Sequence, residues 1–214
     1  MDTVLTILGP DARADLGRYR FYDQQAGLRR SPLMTVFAHQ GLQAMLLYRW
    51  ARFLQTGDRN LMKRLALAGY PFASRINDIV NGVFVSQKAI IGPGCFIAHS
   101  GGVVIGAGAT VGSHCNIANN VSIGFGSPVI GDRVLIGVGA RVLGDVRIGS
   151  NAAIGANSVV TRDVPDRAVV VGAPGRIISY DGAFTHVRYP DSETDPDRLA
   201  ALNRTDHPVG MRAI

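Results

Sequence analysis

Among the five histidines of this chain, His99 sits in the run Ala98-His99-Ser100-Gly101-Gly102, whose small residues leave its ring accessible. An imidazole that titrates near neutrality is the usual general base for activating a hydroxyl. The run therefore points to proton removal from an alcohol as its oxygen attacks an electrophile. His114 reads as a corner residue of the repeat described below. A metal centre built from three converging histidines is disfavoured, because His99 and His114 occupy different phases of that repeat and His186 and His207 fall near the C-terminus. Cys95 and Cys115 both fall on interior repeat positions and read as reduced core thiols, not as a disulfide, a nucleophile or a metal site.

What must position His99 is a repeat. From Val85 to Val160 a Val or Ile recurs at thirteen positions, in steps of six except Ile97 to Ile105 (eight) and Ile123 to Ile130 (seven). Period two is a strand and period 3.6 a helix, so a period of six means a short strand plus a corner, the hexapeptide signature of a parallel β-helix. Gly follows eight of the thirteen and is expected to relax the backbone at the bend. A small residue four positions on is expected to fill the interior near the next corner. Pairs such as Gly106-x-Gly108 and Gly137-x-Gly139 lie inside this rhythm with no βαβ unit around them, so they are corners and not a dinucleotide fingerprint. His99 lies in the first break of the rhythm, and Gly124-Phe125-Gly126-Ser127-Pro128 forms the second. On a three-faced prism the two breaks fall on different corners. One prism cannot bring two corners together, whereas a three-fold assembly can, which predicts a homotrimer with sites between subunits.

The chain divides into a helical region over 1–80, the β-helix over 81–178 and a tail over 179–214 expected to be extended or partly disordered. Asp11 is placed to cap a first helix running to about Gln24, and Ser31-Pro32 to start a second. Asn60–Val80 reads as a third, interrupted or kinked at Pro71. The formal charge of +6 is spread over the body, with no Lys/Arg run, which argues against nucleic-acid binding and suits an anionic small molecule better. The apolar stretch Pro32–Leu54 is broken by His39, Gln40, Gln43, Arg49 and Arg52, so no membrane span is expected. A membrane-surface role for the run around Tyr48, Trp50 and Arg52 is a lesser reading. Met1–Pro10 has no basic n-region, which leaves a cytoplasmic enzyme as the default.

Several motifs resemble the serine acetyltransferase family over roughly residues 11–178. They are Asp15-Leu16-x-Arg18-Tyr19, His39-Gln40-Gly41-Leu42-Gln43-Ala44 with Tyr48-Arg49, Ile97 through Ile105, Val121-Ser122-Ile123-Gly124, and Val171-Gly172-Ala173-Pro174-Gly175-Arg176. The resemblance implies a left-handed β-helix behind a helical region, acetyl-CoA as acyl donor, no metal, and a hydroxyl acetylated through a His base. It puts that base at His99 and CoA along a groove by Gly124, Gly126, Val138 and Ala156, with Arg176 near the nucleotide phosphates. Two departures stand out. The carboxylate that orients the family's His aligns with Phe84, and the loop after Gly124 is short and lacks the Asp-Arg-His-Pro run that helps hold the amino acid. These favour a sugar or specialised metabolite as acceptor, with serine O-acetylation or a non-catalytic scaffold as alternatives. The shorter helical region favours a simple trimer. The terminal Ile214 matches the way some members dock into O-acetylserine sulfhydrylase.

Overall fold

Two-residue strands with one β-branched side chain facing inward can only be buried by stacking, and this chain stacks them into a parallel β-solenoid of about five coils. The computed structural model describes residues 9–56, 61–99 and 101–204. The first face stacks Val83–Val85, Val103–Ile105, Ser122–Gly124, Arg141–Leu143 and Val159–Val160, all parallel. The second stacks Ile90–Ile91, Thr110–Val111, Val129–Ile130 and Arg147–Ile148. The third runs from Phe96–Ile97 to Val169–Val171 and closes with the antiparallel strand Arg176–Ser179.

All thirteen repeat residues are at most 4% exposed. Eleven of the thirteen small positions are buried too, and the two exceptions, Gly101 and Ser127, belong to the two breaks. Each break extrudes its extra residues and passes the interior position on, to Val103 after two and to Pro128 after one, both buried. The insertions thus leave the core intact and spend their length outside it.

The glycines that follow the repeat residues have a different cause from the one expected. Their φ angles are not positive; the left-handed corner residue comes two positions later, as at His114, Arg133, Asn151 and Asn157. What excludes a side chain is the next coil: a Cβ on Gly112 would lie 2.6 Å from the Gly131 carbonyl carbon, and one on Gly131 2.7 Å from the Ser150 nitrogen.

The helical region comprises α1 (Pro10–Gln25), α2 (Pro32–Ala38), α3 (Gln40–Gln55) and α4 (Leu61–Asn81). Ser31 caps α2 as expected, accepting from the Met34 amide, whereas Asp11 lies in the first turn of α1 and pairs with Arg49 instead of capping. The chain also breaks at His39, which takes an extended conformation between α2 and α3. Pro71 does not end α4.

These helices close the open end of the first coil with side chains. Tyr48 Oη donates to the Ala89 carbonyl and accepts from the Ile91 amide, and Tyr19 Oη does the same between the Ile97 carbonyl and amide. Arg49 donates to the Ile91 and Gly92 carbonyls while its Nε holds Asp15 at 2.8 Å. Asp15 in turn accepts from the Cys95 amide, and Arg18 donates to the Gly94 carbonyl. An edge that would otherwise offer unpaired strand groups is thereby satisfied. Tyr48 and Arg49 are buried in this closure, which removes them from any membrane-surface role. Among the described residues no helix is long and apolar enough to cross a membrane.

The expected extended tail is folded as far as it is described. Ala183, Val187 and Tyr189 bury against Ala153 and Val169 of the third face, and α5 (Pro196–Arg204) follows, with Arg198 bonding the Phe184 and Ser192 carbonyls. Its apolar residues are few, but the third face offers an apolar outer patch for them. Ile214 and His207 lie outside the described residues.

Candidate active site

His99 follows the strand Phe96–Ile97 at the corner between the third and first faces, and it is exposed. Ala98 still pairs upward, its amide donating to the Ile117 carbonyl at 2.9 Å; the chain leaves the wall immediately after it. Ser100 lies outside the described residues. Gly101 and Gly102 bring the chain back with φ of 109° and 71°, values that favour glycine. The turn is held from both sides. Gly101 accepts from the Asn120 amide above at 2.7 Å, and from below a Cβ on Gly82 would come 2.9 Å from the Gly101 Cα.

The other expected site residues divide between two corners. Val138 and Ala156 are exposed and lie on the same column as His99, in which backbone bonds run from Asn120 to Gly101, from Gly139 to Asn119 and from Asn157 to Val138. Gly124 and Gly126 lie on the next corner, between the first and second faces, where the Gly144 amide donates to the Gly124 carbonyl and Ser127 is bonded to Asp145. Arg176 is exposed at the C-terminal end, around a small cavity with Thr161, Arg162 and Asp163. Within one chain the first face separates the two sets. Phe125, which the sequence reading did not single out, stands 91% exposed at the second break with φ of 53°. Its signal was a large aromatic between two glycines.

Phe84 projects from the first face, paired in register with Val104. It lines a groove of about 290 Å³ between α4 and the first coil, together with Ser74, Arg75, Asp78, Ser86 and Gln87. This groove adjoins the His99 turn through Gly82, whose amide bonds to the Asp78 carbonyl. A second, larger opening of about 680 Å³ is bordered by Arg20, Arg29, Arg30 and Asp23. Asp23 accepts from Arg30 at 2.6 Å and lies 2.9 Å from His39 Nε2, whose ring sits 5.2 Å from that of Tyr19 at a tilt of 54°, and Tyr19 is bonded to Ile97. His39 thus belongs to a carboxylate cluster one ring away from the strand that carries His99. Both openings offer both signs of charge, supplied by helices and so not legible from the repeat.

The remaining reactive groups sit elsewhere. Burial pushes both thiols up, Cys115 to about 12, so neither is a nucleophile near neutral pH. His114 is a corner residue with φ of 57°, stacked 5.0 Å from Tyr189 of the tail. Burial and then the charges of Arg18 and Arg133 hold its ring below the usual histidine value. Among the described residues no group of three His, Cys, Asp or Glu side chains is arranged to hold a metal ion.

The family model of bacterial transferase hexapeptide (six repeats) matches residues 127–162. A serine acetyltransferase of Synechococcus elongatus is 36% identical over 200 residues, covering 86% of this chain and 79% of the relative. One of Mycobacterium tuberculosis is 38% identical over 168 residues, covering 73% and 70%. The crystal structure of Neisseria gonorrhoeae serine acetyltransferase in complex with serine superposes with a TM-score of 0.67 at 30% identity, over 81% of this chain and 70% of that one.

Proposed function

The chain belongs to the serine acetyltransferase family, and from that premise we propose that it transfers an acetyl group from acetyl-CoA to the hydroxyl of serine, with His99 as the base. The observation that carries this is an exposed imidazole on a turn that leaves the solenoid wall at a widened corner. In the step, His99 takes the hydroxyl proton while the oxygen bonds to the thioester carbon. The tetrahedral oxyanion collapses, the carbon–sulfur bond breaks, and the imidazolium returns its proton to the departing CoA sulfur. Backbone amides near Gly124 or Gly126 serve as oxyanion donors.

CoA lies along a groove between subunits. His99, Val138 and Ala156 come from one chain's corner, and Gly124, Gly126 and, near the nucleotide phosphates, Arg176 from its neighbour's. A homotrimer provides that pairing, since the two sets stand at opposite edges of one face. We place the enzyme in the cytoplasm, as the default for soluble metabolism.

The relatives' names favour serine over the sugar or specialised metabolite that Phe84 and the short loop suggested. The groove between α4 and the first coil supports serine as well, because it offers Arg75 and Asp78 and a zwitterion needs one partner of each sign. The short loop after Gly124 still favours a second reading, an acceptor without a free ammonium, since it lacks the Asp-Arg-His-Pro run that helps hold the amino acid in the family. Thiol release from acetyl-CoA across a panel of serine, other amino acids, sugars and nucleotide sugars separates the readings. Turnover greatest on serine supports the first, turnover confined to sugars the second, and none with any acceptor a scaffold.

A further inference from the structure

A buried acceptor is left over beside the His99 turn. Asn81, the last residue of α4, is 5% exposed, and its Oδ1 accepts no hydrogen bond among the described residues. Which end of this amide is the oxygen follows from its neighbours. Gln43 donates its Nε2 to the Val36 and Phe37 carbonyls, so only its Oε1 can face Asn81. Asn77 donates its Nδ2 to the Val83 carbonyl, so its Oδ1 faces Asn81 too. Asn81 must therefore present its NH2 to both, at 3.2 Å to Gln43 and 2.8 Å to Asn77. Its own oxygen is held in place and open. A buried acceptor without a donor is costly, and native folds keep few of them.

Asn81 borders both ends of the turn. Gly82, the next residue, accepts from the Val103 amide at 3.1 Å and passes close to Gly101. On the other side α3, which Asn81 reaches through Gln43, abuts the Ile97 carbonyl at Gly41. His99 lies between Ile97 and Gly101. The carboxylate that orients the family's His aligns with Phe84, which is apolar and lines the groove beside α4. We propose that Asn81 takes that carboxylate's place as a positioning residue: its Oδ1 accepts the Nδ1–H of His99, which leaves Nε2 free for the acceptor hydroxyl. The purpose of this bond rests on the acetyl-transfer reading. An amide oxygen fixes the tautomer and direction of the ring as a carboxylate does, but it adds no negative charge beside the imidazolium. Such bonds often tighten only when substrate is bound.

Nitrogen NMR of the histidine-labelled full chain, alone and with CoA, tests this, with the His99 signal assigned by its loss in His99→Ala. Neutral His99 should carry its hydrogen on Nδ1, the minor form of free histidine, and Asn81→Leu should return it to Nε2. A wild-type ring protonated on Nε2 in both samples overturns the proposal, and that measurement needs neither a folded variant nor turnover. Kinetics give a second arm. Asn81→Leu keeps the size of the side chain and removes the acceptor, so kcat should fall about tenfold, less than the ~10²-fold of losing the base itself, with KM for acetyl-CoA unchanged. Asn81→Ala replaces it should the leucine not fold. In a His99→Ala background the same substitution should lower kcat no further, because residues that act as a unit are not additive. An amide that is merely structural, or one satisfied by an ordered water, leaves the tautomer unchanged and costs the same in both backgrounds, and either result overturns the proposal. A wild-type chain inactive with every acceptor defeats the acetyl-transfer reading, while the tautomer still answers for Asn81.

Discussion

His99, the proposed base, is exposed because two extra residues carry it off the solenoid wall, and Gly82 lets that turn pass close by. His99→Ala should lower turnover by about 10²-fold or more, the usual scale for a general base, with little change in acetyl-CoA affinity. Steady-state thiol release with direct binding of acetyl-CoA checks both halves, and near-wild-type turnover removes His99 from the mechanism. Gly82→Ala tests the turn itself. Its φ is 61° and its added methyl meets the Gly101 backbone, so the turn must shift. Misplacing a reacting group by about 1 Å can cost ~10²-fold, so kcat should fall while the β signature in circular dichroism persists. An unchanged kcat would mean that the turn is not the reacting element.

At the scale of elements, the helical closure of the first coil rests on a few buried polar side chains. Arg49 is 4% exposed, pairs with Asp15 and bonds two carbonyls. Arg49→Met should cost about 3–5 kcal/mol, because Asp15 is left buried without its cation. Urea unfolding measures this, and a loss under about 1 kcal/mol would mean the closure is not held there. The tail offers a pH test. The His114 ring is held below 6.5 in the fold, so in the window between that depressed value and 6.5 the unfolded chain binds the proton first. Stability should therefore fall as pH drops through that window and lose nothing further from this group below it. His114→Gln should flatten the slope just below the usual histidine value in denaturant titrations. The repeat was legible because each hexad states its own burial: one β-branched residue inward and one small residue by the corner. The closure was not. Arg18, Tyr19, Tyr48 and Arg49 stand out in the sequence only as family motif residues, and their bonds go to backbone groups 41 to 78 positions away. The tail was misjudged because its few apolar residues depend on the outer side of the third face, a surface the hexad pattern does not describe.

For the whole molecule, the division of the expected site between two corners implies that one chain alone is incomplete. Subunits held apart by dilution should lose thiol release in step with assembly, followed by sedimentation and activity on the same samples. An active monomer would contradict the shared groove. The phase of the two breaks placed them on different corners, as the structure has them, without showing which surfaces meet. Acceptor contacts were less legible still, since the charged openings come from helices whose packing no repeat announces.

The unequal coils have a consequence for how the chain finds its place. A stack of identical coils has many near-equivalent alignments, because sliding one strand up by a full turn buries the same kind of residue in the same kind of slot. Here Ile105 pairs with Val85, Ile123 with Ile105 and Val142 with Ile123, so successive turns on the first face take 20, 18 and 19 residues. A chain displaced by one turn would have to press the surplus loop of 98–102 or 124–128 into a corner sized for neither. The two irregularities therefore act as keys that fit a single lock. Trimming them to make the repeat perfect should give a protein that collapses readily yet settles into several competing alignments.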